Sequence, residues 1–135
     1  VSQKSMSWDD NAGKVRSKMG RRRDYLRLNN KYLQEAEALI NKSDYVQASE
    51  KFWGAAAEIV KAVAAKRGIE LKSHGELYGF VSTLKEELRE PELPRLFSLA
   101  STLHQNFYED WLPPETVKDH AEAVRELVER LKKET

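Results

Sequence analysis

Cysteine is absent from the 135-residue chain. Its absence excludes disulfides, thiolate metal sites and cysteine nucleophiles, and it favours a reducing compartment. Long apolar runs are also missing, since no stretch approaches the roughly 18 apolar residues that a membrane span requires. The first residues lack the apolar block of a secretory signal. These absences predict a cytoplasmic protein with no membrane contact.

Glycine and histidine are scarce, with six and three residues respectively. The glycines are scattered and form neither a P-loop nor a dinucleotide fingerprint. No two histidines lie four residues apart with a carboxylate between them, so the helix-borne zinc motif of hydrolases is absent. The sequence therefore predicts no cofactor and no metal site.

Charge is abundant instead: 33% of the residues are charged and 40% are hydrophobic, which is the composition of a globular helical protein. The length suits one core, which we predict for residues 24–135. Residues 1–23 carry seven Lys or Arg against two Asp. This segment is either a solvated, flexible leader or a phosphate-binding surface, for which Arg21, Arg22 and Arg23 are candidate binding residues.

Apolar residues recur at steps of three and four in five segments, which is the spacing of amphipathic helices. Asp44 is a predicted N-cap, and Ser73 with Glu76 forms a predicted capping box. The small residues at 54–57 allow close approach, so the second helix should be central. The predicted helices start at Asp24, Tyr45, His74, Pro94 and Pro114, and end near Ile40, Arg67, Leu88, Trp111 and Lys133.

No segment alternates apolar and polar residues as a strand does, and no period of about 30 residues recurs three times. The fold class predicted from these patterns is all-α, a single up-and-down bundle of five helices. The fifth helix repeats its apolar residues every seven positions, which suits either a neighbouring helix of the bundle or a dimer seam.

The densest polar and aromatic run, residues 104–111, ends the fourth helix. His104 flanks the apolar face, so one interpretation is a histidine bonded to a neighbouring carbonyl. The other interpretation is a general base or phosphate ligand. In that case Asn106, Tyr108 and Glu109 are candidate partners beside it.

A second candidate lies where the third helix begins. Exposed amides at a helix N-terminus attract anions, and His74 would add positive charge there. Capping alone also explains Ser73 and Glu76. His74 is therefore a candidate binding residue with a structural alternative.

The stretch YLQEAEALINKSDYVQASEKFWGAAAEIVKAVAAKR, residues 32–67, resembles the first helical hairpin of the HEPN superfamily. The stretches SHGELYGFVSTLKEEL and LHQNFYEDWLPPE resemble the archaeal PaREP-type family, which is grouped with that superfamily. This resemblance implies a HEPN-like bundle that commonly dimerises. It also implies a relation to metal-independent RNases that pair with nucleotidyltransferase-type antitoxins.

In the motif of those RNases an arginine precedes the histidine, which corresponds to His104 here. The arginine should fall at positions 97–99, which read Phe, Ser and Leu, and Arg95 lies too far back. An apolar side chain cannot stabilise the charge that develops during RNA cleavage. The interpretation we favour is thus a non-catalytic binding or regulatory module, homodimeric, with a protein or nucleic-acid partner.

The alternative is an RNase or nucleotide-handling toxin component that uses His104, with Arg95 as a substitute cation. A tetratricopeptide-like peptide binder is a third hypothesis, because residues 32–56 resemble one such repeat. Only one copy is present, whereas stacking of such repeats requires about three.

Overall fold

The computed structural model describes residues 2–135, with the surroundings of side chains given from residue 19 onward. The described chain contains five helices and no strand, so the predicted all-α bundle is confirmed. None of its helices has the length and apolarity needed to cross a membrane. The helices are α1 (Ser2–Asn41), α2 (Tyr45–Lys66), α3 (His74–Leu88), α4 (Leu93–Glu109) and α5 (Pro114–Lys132).

Helix α1 begins much earlier than the apolar spacing indicated, at Ser2 and not near Asp24. The preceding segment is rich in Lys, Arg and Met, which are good helix formers without any apolar stripe. Apolar spacing shows where a helix packs, and a helix can continue beyond its packed part. The side chains of residues 1–18 lie outside the described part, so the predicted leader over 1–23 stays a prediction.

Helix α2 is the central element, as predicted, because it packs against each of the other four helices. Its middle consists of small residues that admit close neighbours. At Gly54 an added Cβ would lie 2.9 Å from Cδ2 of Tyr32 on α1. Its buried apolar residues include Phe52, Trp53, Ile59, Val60 and Val63.

The predicted caps are present at the helix starts. The Asp44 carboxylate accepts a hydrogen bond from the Gln47 amide at 3.2 Å. Ser73 Oγ accepts from the Glu76 amide at 3.1 Å, while the Glu76 carboxylate accepts from the Lys72 amide at 2.6 Å. These bonds fix where α2 and α3 begin.

The apolar stripe of α5 is buried inside the chain, where α5 packs against α2 and α4. The first of the two interpretations of this stripe, a bundle neighbour, therefore holds. Arg125 of α5 donates to both Glu37 oxygens of α1, at 2.6 and 2.8 Å, and this hydrogen bonding raises the pKa of Arg125. The buried stripe comprises Val117, Ala121, Val124, Val128 and Leu131.

Candidate functional site

A cleft lies between α1, α2 and the loop that leads into α3. Its volume is about 520 Å³, within the range of small-molecule sites. Leu71, Leu77 and Ala57 are its apolar side chains, and charged or aromatic side chains, together with Gly54 and Ser73, form the rest of its wall. Those other side chains are Tyr32, Glu50, Lys51, Trp53, Glu58, Lys61, Lys72 and His74.

One face of α2 forms the floor of this cleft. Glu50, Gly54, Glu58 and Lys61 all line it, and they follow one another at steps of four, four and three, which places them on one side of a helix. From Glu50 to Lys61 this face extends about 16 Å, at roughly 1.5 Å per residue. The cleft is therefore elongated, with a carboxylate at each of two separate positions along its floor.

Glu58 is a buried carboxylate with incomplete hydrogen bonding. The residue is only 7% exposed, in the middle of a run of buried apolar residues. Its Oε2 accepts from Lys61 Nζ at 3.1 Å, whereas its Oε1 is buried and has no hydrogen-bond partner. A buried acceptor without a donor is destabilising. Glu58 thus lines the cleft with a buried acceptor whose hydrogen bond no described residue completes.

Glu50 forms a pair with one of the two candidate histidines. The Nδ1 atom of His104 lies 2.8 Å from Glu50 Oε1, a contact between α4 and α2. The other Glu50 oxygen bonds to no described residue. A carboxylate at one ring nitrogen fixes the orientation of an imidazole and leaves the second nitrogen for another partner.

The two candidate histidines, which are far apart in sequence, meet on Trp53. The His104 ring stacks on the indole, with ring centroids 5.2 Å apart, and the His74 ring meets the same indole edge-on at 5.2 Å. The centroids of the two imidazoles are 5.3 Å apart. The structure therefore joins the two candidate positions into one cluster on Trp53, of which Trp53 and His74 line the cleft and His104 does not.

Lys72 and His74 lie on the rim of the cleft, where α3 begins. Both are exposed, and within the described part of the chain neither side chain has a hydrogen bond or ion pair. Lys51 and Lys61, by contrast, are paired with Glu35 and Glu58. Lys72 is thus the cation of the cleft that has no carboxylate partner among the described residues.

Asn106 lies away from the cleft, in the last turn of α4. It is buried, and its Nδ2 donates to Ser49 Oγ at 3.0 Å. Its Oδ1 accepts from the amides of Trp111 and Leu112 at 2.9 and 2.8 Å. These three bonds occupy the side chain in holding the end of α4 against α2.

The other candidates of the fourth helix are dispersed. Tyr108 is 70% exposed and meets the His104 ring edge-on at 5.3 Å, while Glu109 points to solvent. Arg95 is exposed and paired with Glu92. It precedes His104 by nine residues, which on a helix is the opposite face and about 14 Å along the axis. Arg95 therefore does not reach His104 within one chain.

The basic candidates of α1 are also outside the cleft. Arg22 Nη1 donates to the main-chain oxygen of Thr135 at 3.0 Å, and Arg23 is exposed. Neither these two nor Arg21 lines the cavity. Arg22 therefore ties α1 to the segment after α5, and the three arginines do not contribute to the histidine cluster.

Sequence reasoning missed Glu50, Glu58, Lys61 and Lys72 as site residues. A signal existed for Glu58, because it is the single carboxylate in an otherwise apolar run from residue 55 to residue 60. The role of Glu50 had no such signal, since it depends on how α4 lies against α2. In the described part of the chain, no three histidines or carboxylates are grouped so as to hold a metal ion.

Comparison with known proteins identifies the family. The model of the archaeal PaREP1/PaREP8 family matches residues 24–128. The chain belongs to this family. Among solved structures, this PaREP1/PaREP8 chain is similar to a crystal structure of a protein from Sulfolobus solfataricus, with 30% identity and a TM-score of 0.72. The alignment covers 79% of this chain and 95% of that one. No curated protein matches this PaREP1/PaREP8 chain.

Proposed function

We propose that this PaREP1/PaREP8 chain is a non-catalytic binding or regulatory module with a HEPN-like bundle. The observation that carries the proposal is the cleft along α2, which combines an apolar patch with hydrogen-bonding groups that have no partner in the described chain. A pocket of mixed character with a few unpaired polar groups is the usual form of a ligand site.

The motif of the RNases requires an arginine at one of the positions 97–99, and the surroundings of these residues support a non-catalytic role. Phe97 is fully buried in the core, Ser98 is exposed, and Leu99 is half-buried. An arginine at Phe97 would be buried without a partner, which is strongly unfavourable. The local packing is thus built for an apolar side chain at this position.

A titration followed by ¹H–¹⁵N correlation spectra tests the binding role. The probes are adenosine monophosphate, a short single-stranded RNA, and N-acetyl-leucine as a peptide-like compound. We expect at least one of them to shift the amide signals of residues around Glu58 and His74 in a saturable way. If none of the three shifts these signals at millimolar concentration, the cleft is not a binding site and the proposal fails.

The same proposal includes a binding partner for the module. This partner is either a protein, including one of nucleotidyltransferase type, or a nucleic acid. A homodimer is also proposed, and it requires a surface other than the buried stripe of α5. Tyr108 and Trp111 are large exposed aromatic residues that such an interface would cover. Light scattering after size exclusion tests this point, and a monomer at high concentration would remove the dimer.

A second candidate function, a metal-independent RNase, is favoured by the histidine cluster. His104 is oriented by Glu50 at 2.8 Å, and His74 supplies a second imidazole at 5.3 Å between centroids. Imidazoles are the side chains that most often remove the proton of an attacking hydroxyl or deliver one to a leaving oxygen.

Incubation with mixed RNA decides between the two functions. Cleavage by the wild type that is lost in His104→Ala and reduced in Glu50→Gln would establish the RNase. His120→Ala is the matched control, because His120 bonds to the main chain of its own helix, outside the cluster. If the wild type leaves the RNA intact, the binding module is the function that remains.

A further inference from the structure

The cleft contains an acceptor and a cation that are both unpartnered, and together they define the chemistry of a ligand. Glu58 Oε1 is buried with no donor, and the Lys72 ammonium has no carboxylate partner in the described chain. Leu71, Leu77 and Ala57 line the same cavity. A ligand that satisfies all three features must carry a hydrogen-bond donor, an anionic group and an apolar side chain.

The donor should be neutral. Lys61 Nζ lies 3.1 Å from Glu58 Oε2 and already balances the charge of this carboxylate. A second ammonium group at Oε1 would bring two like charges close together in a largely buried place. A neutral amide N–H satisfies the free oxygen without that repulsion.

The anionic group should carry a single charge. Lys51 and Lys61 are paired with carboxylates, so Lys72 is the one fully charged cation of the cleft lining without such a partner among the described residues. His74 adjoins Lys72, and the amides at the start of α3 other than the Glu76 amide, which Ser73 caps, add N–H donors. A carboxylate matches this combination of one ammonium and neutral donors.

We propose that the cleft binds an N-acylated amino acid carboxylate, with the amide N–H on Glu58, the carboxylate at Lys72 and His74, and an apolar side chain on Leu71 and Leu77. This chemistry has two sources, a free acylated amino acid or the C-terminal residue of a partner protein. The inference rests on the proposed binding function and specifies what the site recognises.

The test uses N-acetyl-leucine and two derivatives, each of which lacks one recognised group. N-methylation removes the amide N–H, and the methyl ester removes the carboxylate charge. For the wild type we expect a Kd of about 1 mM for a ligand of this size. Each derivative should bind about tenfold more weakly, because each loses a charge-assisted hydrogen bond.

Protein variants then assign each group to its partner. In Glu58→Leu the N-methyl derivative should bind as well as N-acetyl-leucine, while the preference for acid over ester persists. In Lys72→Met the preference for acid over ester should vanish, while the preference for N–H persists. Lys133→Met is the matched control, since Lys133 is exposed and lies outside the cleft lining. It should keep both preferences.

Folding is checked for each variant by circular dichroism. Glu58→Gln serves as a second variant if Glu58→Leu does not fold, and it should weaken the preference for N–H only in part. If the preferences are unchanged in the folded variants, the assignment of the two groups is wrong. A response to inorganic phosphate that equals the response to N-acetyl-leucine would overturn the choice of a carboxylate.

A last comparison of affinities distinguishes a free acylated amino acid from a protein C-terminus as the source of the ligand. A tetrapeptide that ends in leucine with a free carboxylate should bind at least tenfold more tightly than N-acetyl-leucine if the partner is a protein C-terminus. Equal affinities indicate a free small molecule. Binding of adenosine monophosphate alone in the cleft would sink this inference and leave the proposed function standing, whereas no binding at all would sink both.

Discussion

Two buried polar side chains of this bundle, Asn106 and Glu58, have opposite surroundings. In the last turn of α4, both polar atoms of the Asn106 amide are bonded, through three hydrogen bonds. In the cleft, Glu58 has one oxygen bonded to Lys61 and the other without a donor. The comparison teaches that Asn106 is satisfied by the chain itself, whereas Glu58, which lines the cleft, keeps one oxygen that the described chain does not satisfy.

Loss of the Asn106 amide should produce the largest effect. Asn106→Ala removes the acceptor of the part-buried Trp111 and Leu112 amides and the donor to Ser49 Oγ, which keeps its bond to the Tyr45 carbonyl. We expect the free energy of unfolding to fall by about 3 kcal/mol, since each unsatisfied group costs roughly 1 kcal/mol or more. Urea denaturation measures this. Gln105→Ala, at an exposed position of the same helix, should stay within about 0.5 kcal/mol of the wild type.

A pair of glycine substitutions tests how closely Tyr32 packs on Gly54 in the wall of the cleft. In Gly54→Ala the new Cβ lies 2.9 Å from Tyr32, so the overpacking should cost about 1–2 kcal/mol. In Gly79→Ala the Cβ has no neighbour within 4 Å, and the gain in helix propensity should stabilise by about 0.5–1 kcal/mol. Thermal unfolding of both variants checks the opposite signs. Equal effects would mean that Tyr32 does not pack closely on Gly54.

The contact that links the two regions is the one between His104 and Glu50. A double-mutant cycle with His104→Ala and Glu50→Ala should give a coupling energy of about 1 kcal/mol, as expected for a partly exposed hydrogen bond. Chemical denaturation of the two single variants and the double variant gives their three differences in free energy of unfolding from the wild type, from which the coupling energy follows. A coupling near zero would show that the 2.8 Å contact contributes nothing to stability.

For Glu58 the expected change in stability is close to zero. Glu58→Leu removes a part-buried ion pair with Lys61 together with a buried unsatisfied oxygen, and the two effects oppose each other. The free energy of unfolding should therefore change by less than about 0.5 kcal/mol. Urea denaturation checks this value. A fall of several kcal/mol in the free energy of unfolding would mean that Glu58, like Asn106, is a structural residue. The contrast between the two residues would then be wrong.

The smallest effect concerns the acidity of Glu35 beside the cleft. The hydrogen bond from Lys51 is the largest cause that lowers the pKa of Glu35 below its ordinary value. A carboxyl with a lowered pKa in the folded state stabilises the protein above its unfolded pKa, and this contribution is lost as the pH falls through the folded value. Lys51→Met should therefore raise the pKa of Glu35, as measured by ¹³C NMR, and weaken the loss of stability in acid.

Much of the fold was predictable because it depends on local patterns. Asp44 and Ser73 marked helix starts, since a side-chain acceptor next to free amides needs no distant partner. The predicted start of α1 was wrong, because helix-forming residues can continue a helix beyond the stretch that has apolar spacing. Of the candidate site, His104 and His74 were found from their own neighbours in sequence, but their proximity on Trp53 was not.

The sequence by itself determined that this PaREP1/PaREP8 chain folds as helices and which side of each packed helix is buried. Periodicity and capping act over one or two turns, so they can be read from neighbouring residues. Only the tertiary structure decided that Asn106 is fully bonded, that Glu58 is not, and that the two histidines meet. Each of these depends on groups from different helices, and the number of partners that a buried polar atom finds is set by how those helices pack.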